Sequence, residues 1–359
     1  MSNILFIAHY PFGDLIQDGM AQRIKAVDAE VEDKERTYLQ LSLNPRCEQK
    51  SKQAGNLKVK CLNYISQWHL LKKHVNKAQV IYCHSLYNLK FLLGLNLSGK
   101  RVFLDIHGSV PEEQRFFGHR LKSIAYNRIE RMLMPQVTDL ICVSRAMADF
   151  YKNKYPSLKQ NYIIKPILPI NTLRSPRQAE VSELSRQIGI TGNDIVFLYS
   201  GGLQKWQNFD LMVDYMNSDR FADKNFVFLV LTKQTKEAIA KLSSLNGKIR
   251  YHVESVAPDR LPEYYALAHY GFLLRDDVVL NHVAAPTKLI EYLYFGIKPI
   301  MKSLQVGDFE DLNCEYETID SKNPNFQSLK SERNKRIADR IFCTTQSQRI
   351  CEIIDRKWK

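Results

Sequence analysis

Short apolar runs separated by amphipathic stretches recur along the whole chain, and this repetition limits what it can fold into. In the first half the runs are Ile4–Ala8, Val80–Cys83, Val102–Ile106 and Leu140–Val143. In the second half they are Ile195–Tyr199, Phe226–Leu231, Ile249–Val253 and Tyr270–Leu274. Each is rich in Val, Ile, Phe or Tyr and is flanked by helix-like sequence, the signature of parallel sheets joined by crossover helices. The chain has 359 residues, more than the roughly 250–300 at which one hydrophobic core stops growing. Two domains are therefore expected. Between the two series lies Lys165–Asn171, with Pro166 and Pro169 close together, followed by a polar stretch carrying Pro176. Prolines so spaced forbid continuous helix and mark a linker.

The reading is an α/β protein of two Rossmann-like doubly wound domains facing across a cleft. Residues 1–168 are expected to form an N-terminal Rossmann-like domain and 169–339 a second, with a C-terminal helix, 340–359, packing back on the first. Ligands of such sheets bind outside the carboxyl ends of the strands.

Composition excludes several classes. Hydrophobic residues make up 45% and charged residues 25%, ordinary for a globular protein and too apolar for long disorder. No apolar run approaches the ~20 residues that span a bilayer. Met1–Ala8 lacks a basic leader and reads as a first strand rather than a signal peptide. The seven cysteines are scattered without a C-x-x-C pair, so reduced thiols in a cytoplasmic protein are expected. The net charge of +13 favours polyanionic partners. Arg115, His119, Arg120, Lys122, Arg128 and Arg131 interleave with Phe116, Phe117, Leu121, Ile124, Tyr126 and Ile129. That pattern reads either as a solvated helix face or as a surface helix lying on anionic lipid at the inner face of the plasma membrane.

The stretch from Arg275 to Ile300 carries the most chemistry. A strand ends at Arg275, a polar loop follows, and Pro286 stands where a helix begins, a position in which its missing N–H costs nothing. Amides of Thr287 and Lys288 could hold a phosphate there. Arg275 and Lys288 could add counter-charge. Glu291, one turn further on, is suited to accept from ribose hydroxyls, and Gly296 ends the helix. A second stretch, Tyr199–Asn208, places Gly201 and Gly202 after a strand, where a backbone could approach a diphosphate and Lys205 could neutralise it. A third, Leu104-Asp105-Ile106-His107-Gly108, ends a first-half strand.

Arg275–Ile300 resembles the donor-site signature of family-4-type retaining glycosyltransferases with the GT-B fold, which runs roughly as small-Pro-x-Lys-x-x-Glu-Tyr-x-x-x-Gly-x-Pro-Val/Ile. Glu291 matches the second of two glutamates spaced eight apart; the first is replaced by Val283, for which Asn281, Asp276 or Asp277 could substitute. In the Tyr199–Asn208 loop, Gly202 stands where the family has Arg, and Gln207-Asn208 where it has Lys-Gly. Leu104–Gly108 resembles the family's Asp-x-His-Gly element, Asp139–Ser144 the strand closing the first domain, and His9–Gly19 its acceptor-side loop. The resemblance implies transfer of a sugar from a nucleoside-diphosphate sugar, UDP being the expected nucleotide, to an acceptor hydroxyl, with retention. It assigns His107 and Glu291 to catalysis, and Gly201, Gly202, Lys205, Arg275, Thr287, Lys288 and Glu291 to the donor. The acceptor is expected to be a saccharide or lipid-linked saccharide in bacterial surface polysaccharide, O-antigen or capsule assembly.

His9, His84 and His107 fall near successive strand ends, but no carboxylate spacing completes a metal set, so neither a metal nor another cofactor is expected. Two other readings stand beside the transferase: a non-hydrolysing UDP-sugar epimerase of the same fold, and a basic nucleic-acid-binding module suggested by charge alone. Taken one at a time, the Gly-Gly pair is consistent with a plain turn, His107 with a hydrogen-bonded strand-end histidine and Glu291 with a surface charge.

Overall fold

The computed structural model describes residues 4–12, 19–44, 52–169, 172–218, 221, 225–245, 247, 249–322 and 324–356. The chain divides into two compact units. The first comprises residues 1–167 with 282–284 and 345–359; the second comprises 168–281 with 285–344.

In the first unit the strands are β1 (Ile4–Ile7), β2 (Arg36–Ser42), β3 (Lys52–Ala54), β4 (Leu57–Asn63), β5 (Val80–His84), β6 (Arg101–Ile106), β7 (Asp139–Cys142) and β8 (Asn161–Ile164). They form one sheet in the order β3-β4-β2-β1-β5-β6-β7-β8. Every pairing is parallel except β3 with β4. The order reverses between β1 and β5, which pair through Ile4 with Val80 and Ile7 with Cys83. Ile4, Phe6, Tyr38, Val59, Tyr82, Phe103 and Ile141 pack as one core cluster that also takes in Ile350, Ile353 and Ile354. Those isoleucines belong to the short helix Ile350–Asp355, which explains why the last residues group with the first unit.

The second unit holds β9 (Ile195–Ser200), β10 (Phe226–Leu231), β11 (Arg250–Glu254), β12 (Tyr270–Leu273), β13 (Lys298–Met301) and β14 (Glu317–Thr318). Their order is β11-β10-β9-β12-β13-β14, all parallel. Both faces are covered, as an all-parallel sheet requires. Because side chains alternate along a strand, Val196 and Leu198 enter an aliphatic layer with Leu229, Leu289 and Leu293. Phe197 and Tyr199 enter an aromatic layer with Phe209, Phe228 and Phe272.

Four expectations change. Strands β2, β3, β4, β8 and β14 are absent from the sequence reading; β4 (LKVKCLN) interleaves lysines with its apolar residues, and β3, β8 and β14 are edge strands. The first sheet therefore continues past β7 to β8 rather than closing at Asp139–Ser144. The basic stretch from Arg115 to Arg131 is two helices, Val110–Phe116 and Arg120–Leu133, parted at Gly118, whose φ of +79° favours glycine. Cys61 is disulfide-bonded, against the expectation of reduced thiols throughout; Cys83, Cys142, Cys314, Cys343 and Cys351 are free. Most of the expected acceptor-side loop, His9–Gly19, lies outside the described residues.

Candidate functional site

Two polar constellations lie at carboxyl ends of strands, one in each unit. In the second unit Pro286 is the N-cap and Thr287 the first residue of the helix Thr287–Tyr294, so Thr287 and Lys288 supply first-turn amides that no helix satisfies internally. The helix ends in a Schellman arrangement: Gly296, at φ +67°, donates its N–H to Leu293, and Ile297 donates to Tyr292. Glu291 is only 3% exposed. Its Oε1 accepts from Thr172 Oγ1 at 2.6 Å, and its Oε2 accepts from Lys288 Nζ at 2.9 Å and from Tyr265 Oη at 3.2 Å. Lys288 Nζ also donates to Tyr265 Oη at 2.8 Å. Tyr265 Oη meets Ser200 Oγ at 2.9 Å, which ties the helix to the end of β9, beside Gly201. Burial opposes charge on Lys288, yet Tyr265 and Glu291 raise its pKa above the ordinary lysine value.

Arg275 differs from these paired groups. It follows β12 and is half-buried, and among the described residues its buried Nε has no hydrogen-bond partner. Burial lowers its pKa, and only Tyr199 opposes the shift. Tyr199 in turn donates to the Gly202 carbonyl, placing this guanidinium's neighbour on the Gly201–Gly202 turn. A buried cation without a carboxylate is costly, and its natural complement is an anion. Lys205 opens the short turn Lys205–Gln207 and is exposed; with Lys302 and Asn208, it helps hold the Asp276 carboxyl below the usual range against burial.

The residues that could have replaced the missing first glutamate are accounted for. Val283 is buried, and its carbonyl accepts from Ser144 Oγ at 2.9 Å. Asn281 donates its amide to the Asp276 carbonyl, and Asp276 takes Lys302 and Asn208 on its carboxylate. Asp277 is exposed.

In the first unit His107 follows β6. Asp105, fully buried, accepts from Arg23 Nε at 2.9 Å and Nη2 at 3.2 Å, and from Tyr82 Oη at 2.7 Å. His84 Nδ1 stands 3.6 Å and His107 Nε2 3.5 Å from its oxygens. Burial opposes its charge, but Arg23 and then His107 hold the carboxyl well below the usual range. Burial drives His84 down to about 3 despite Asp105. His84, Asp105 and His107 are, among the described residues, a grouping that could hold a metal ion. No carboxylate spacing in the sequence completes a metal set, yet the fold brings Asp105 to the two histidines and completes one, against that expectation. That carboxylate already carries the Arg23 guanidinium on both oxygens, so its charge is taken.

Sequence reasoning missed Thr172, Ser200, Tyr265, Arg23 and Tyr82. Thr172 and Tyr265 bond Glu291, Ser200 meets Tyr265, and Arg23 and Tyr82 bond Asp105, each across a long stretch of sequence that no local pattern announces. Asp105 lies inside the Leu104–Gly108 element, where the sequence gives it no role.

No protein-family model matches the sequence, and no curated protein does. Solved structures do match in fold. A sucrose-phosphate synthase from Thermosynechococcus elongatus aligns with a TM-score of 0.62 at 11% identity, covering 99% of this chain and 96% of that one. An α,α-trehalose-phosphate synthase (UDP-forming) from Burkholderia xenovorans, in complex with glucose-6-phosphate, aligns at 0.61 and 10% identity, covering 98% of each. The Anabaena protein HepE, in complex with UDP and glucose, aligns at 0.57 and 11% identity, covering 97% and 91%. The fold is that of the GT-B glycosyltransferases. At these identities the likeness speaks for the fold over nearly the whole chain, and the chemistry rests on the residues.

Proposed function

We propose that the protein is a glycosyltransferase that binds a nucleoside-diphosphate sugar, UDP-linked, in its second unit and transfers the sugar to an acceptor hydroxyl. The observation that carries this reading is the half-buried Arg275 guanidinium, its Nε buried and, among the described residues, without a carboxylate partner, beside the Gly201–Gly202 turn. A departing diphosphate supplies the missing anion. The first-turn amides at Thr287 and Lys288 add donors at the same carboxyl edge of the sheet, the fixed electrostatic stabilisation that dominates such catalysis. The solved neighbours in complex with UDP or glucose-6-phosphate make UDP the first nucleotide to try.

The finer reading follows the family-4-type resemblance. Transfer proceeds with retention, by attack on the face the phosphate leaves, with the leaving phosphate taking the acceptor's proton. His107 orients the donor sugar, and Glu291 holds the nucleotide ribose by exchanging Thr172 for ribose hydroxyls. Metal is not required, because Arg275, Lys205, Lys288 and the helix amides carry the counter-charge. The acceptor is a saccharide or lipid-linked saccharide of bacterial surface polysaccharide assembly, reached from the cytoplasmic face of the membrane. In support, the helix Arg120–Leu133 exposes Leu121 (83%), Ile124 and Met132 among Arg120, Lys122, Arg128 and Arg131.

The test is calorimetric titration with UDP, GDP and ADP and their glucose conjugates. Selective binding of one nucleotide, weakened in Glu291→Gln, is expected; no binding by folded protein would sink the reading.

A further inference from the structure

One stretch of the first unit carries positive charge with nothing in its own sequence to balance it. From Gln49 to Leu104 there are ten Lys or Arg and no Asp or Glu, and the proposed reaction uses none of these cations. The charge is densest on the helix Trp68–Lys77, which follows β4. That helix buries Leu71 and Val75 and turns His69, Lys72, Lys73, Asn76 and Lys77 to solvent. Lys60, on β4, stands with its Nζ 3.5 Å from His74 Nε2. Burial lowers the pKa of His74, and Lys60, Lys77 and Lys73 all push it the same way, with no carboxylate opposing them. Among the described residues no carboxylate pairs with Lys60, Lys72, Lys73 or Lys77. Lys100 adds a further cation, donating to the carbonyls of Asn76 and Ala78. The negative end of the helix dipole accounts for Lys77 and Lys100. It does not account for Lys60, Lys72 or Lys73. Like charges on one helix face cost stability, and an anion from outside relieves them.

The other end of the helix, just past the carboxyl end of β4, supplies an aromatic surface. Trp68 is 36% exposed, and Lys72 Nζ stands 5.4 Å from the centroid of its ring. An indole open to solvent stacks on the apolar C–H face of a sugar, and a cation beside it takes an acid group carried by the same sugar. The remaining side chains decide among polyanions. Beyond Trp68 no exposed residue of the helix is apolar, so nothing on this face enters lipid, unlike Leu121 and Ile124 on the helix Arg120–Leu133. The face has no arginine fork and a single aromatic ring, whereas nucleic-acid surfaces use guanidinium groups and successive stacking rings. We propose that the helix Trp68–Lys77, together with Lys60, binds an acidic saccharide. Trp68 stacks on one sugar ring, and Lys60, Lys72, Lys73 and Lys77 take acid groups along about 15 Å of helix. That this saccharide is the acceptor or the growing product rests on the glycosyltransferase reading; that it binds rests on the surface alone.

Oligogalacturonate, a chain of uronic acids, is titrated into the full-length protein by calorimetry, with neutral dextran as the control. The wild type is expected to bind the oligouronate and not the dextran. Binding should fall at least about tenfold in Lys72→Gln/Lys73→Gln/Lys77→Gln, the combined scale of three exposed ion pairs, and severalfold in Trp68→Ala. All four side chains are exposed, so both variants are expected to keep the wild-type melting temperature. No binding of oligouronate by the wild type overturns the proposal, as does equal binding by the triple variant or by Trp68→Ala. Oligothymidylate and phosphatidylglycerol vesicles are compared per negative charge. Tighter wild-type binding of either, lost in the triple variant, assigns the surface to nucleic acid or lipid and overturns it as well. UDP titrated alongside keeps the two readings apart. Oligouronate bound without UDP sinks the donor reading and leaves this surface in place; UDP bound without oligouronate does the reverse.

Discussion

Arg275 and Glu291 show two opposite ways of placing a charge in a protein interior. Glu291 has its acceptors engaged by Thr172, Tyr265 and Lys288, so truncating it leaves a lysine and two hydroxyls short of a partner. Glu291→Ala is expected to destabilise the fold by about 3 kcal/mol, the scale for breaking a buried pair, which makes Glu291→Gln the cleaner variant for ligand binding. Among the described residues, Arg275 has no such partner to strand. Arg275→Gln is expected to weaken UDP binding by at least about tenfold, the scale of a charge-assisted hydrogen bond, while the melting temperature stays level or rises. A fall in both would make Arg275 a structural residue. Histidines give the pH dependence. Burial lowers His84 to about 3 and His269 to about 4 from 6.5, with Lys330 and Lys298 adding to the latter shift. The unfolded chain then takes up protons that the folded chain refuses. Stability is whole above pH 6.5 and declines as pH falls toward those values, by about 1.4 kcal/mol per pH unit for each histidine. Urea unfolding at pH 7, 6 and 5 checks the slope, and His84→Gln should flatten it.

At the scale of elements, the donor-side helix is set by its two ends. Pro286 precedes it and Gly296 stops it in a left-handed conformation, where a β-carbon would lie 2.9 Å from Lys335 Cε and 3.0 Å from the Ser331 carbonyl. Gly296→Ala therefore combines backbone strain with a clash, and a loss of more than about 1 kcal/mol is expected, read as a lowered urea midpoint. Its neighbour β12 shows the same closeness from the other side. A β-carbon at Gly271 would meet the Tyr292 ring at 2.6 Å, so strand and helix approach to a distance only glycine allows. This helix was legible in sequence because its Pro, Gly and apolar spacing are all local. The first-unit strands β2 and β4 were not, because β2 has polar and charged residues within its run and β4 alternates with lysine. Burial by neighbouring strands, and not their own composition, makes them strands.

For the whole molecule, the last residues matter out of proportion to their number. Arg101 pairs with Asp139 through Nε and Nη2, while its Nη1 donates to the carbonyls of Ile353, Ile354 and Arg356. Lys165 reaches the Gln348 carbonyl and Glu30. Deleting residues 345–359 is expected to strip Ile350, Ile353 and Ile354 from the first-unit core. Hydrogen exchange should then quicken in β1, β5 and β6 and leave β9 and β10 as they were; uniform quickening would contradict this. Charge acts at the same scale. Anionic vesicles of phosphatidylglycerol are expected to co-sediment the protein in low salt, with binding reduced severalfold in Leu121→Ser/Ile124→Ser. Equal binding by that variant would leave the net charge of +13 acting without the helix.

What the sequence determined by itself were the properties carried by neighbours along the chain. Runs of Val, Ile and Phe specify strands buried on both faces; Pro286, Lys288, Glu291 and Gly296 specify a capped helix after a strand; the repetition of strand and helix specifies parallel sheets. Tertiary structure alone decided which groups are satisfied. Glu291 and Arg275 look alike in sequence, each a charge beside a strand end or helix start. One is enclosed by Thr172 and Tyr265 and the other is left without an anion, because hydrogen-bond partners and burial come from segments many residues away. The same holds for His107, an ordinary strand-end histidine until the fold brings Arg23, Tyr82 and His84 around Asp105.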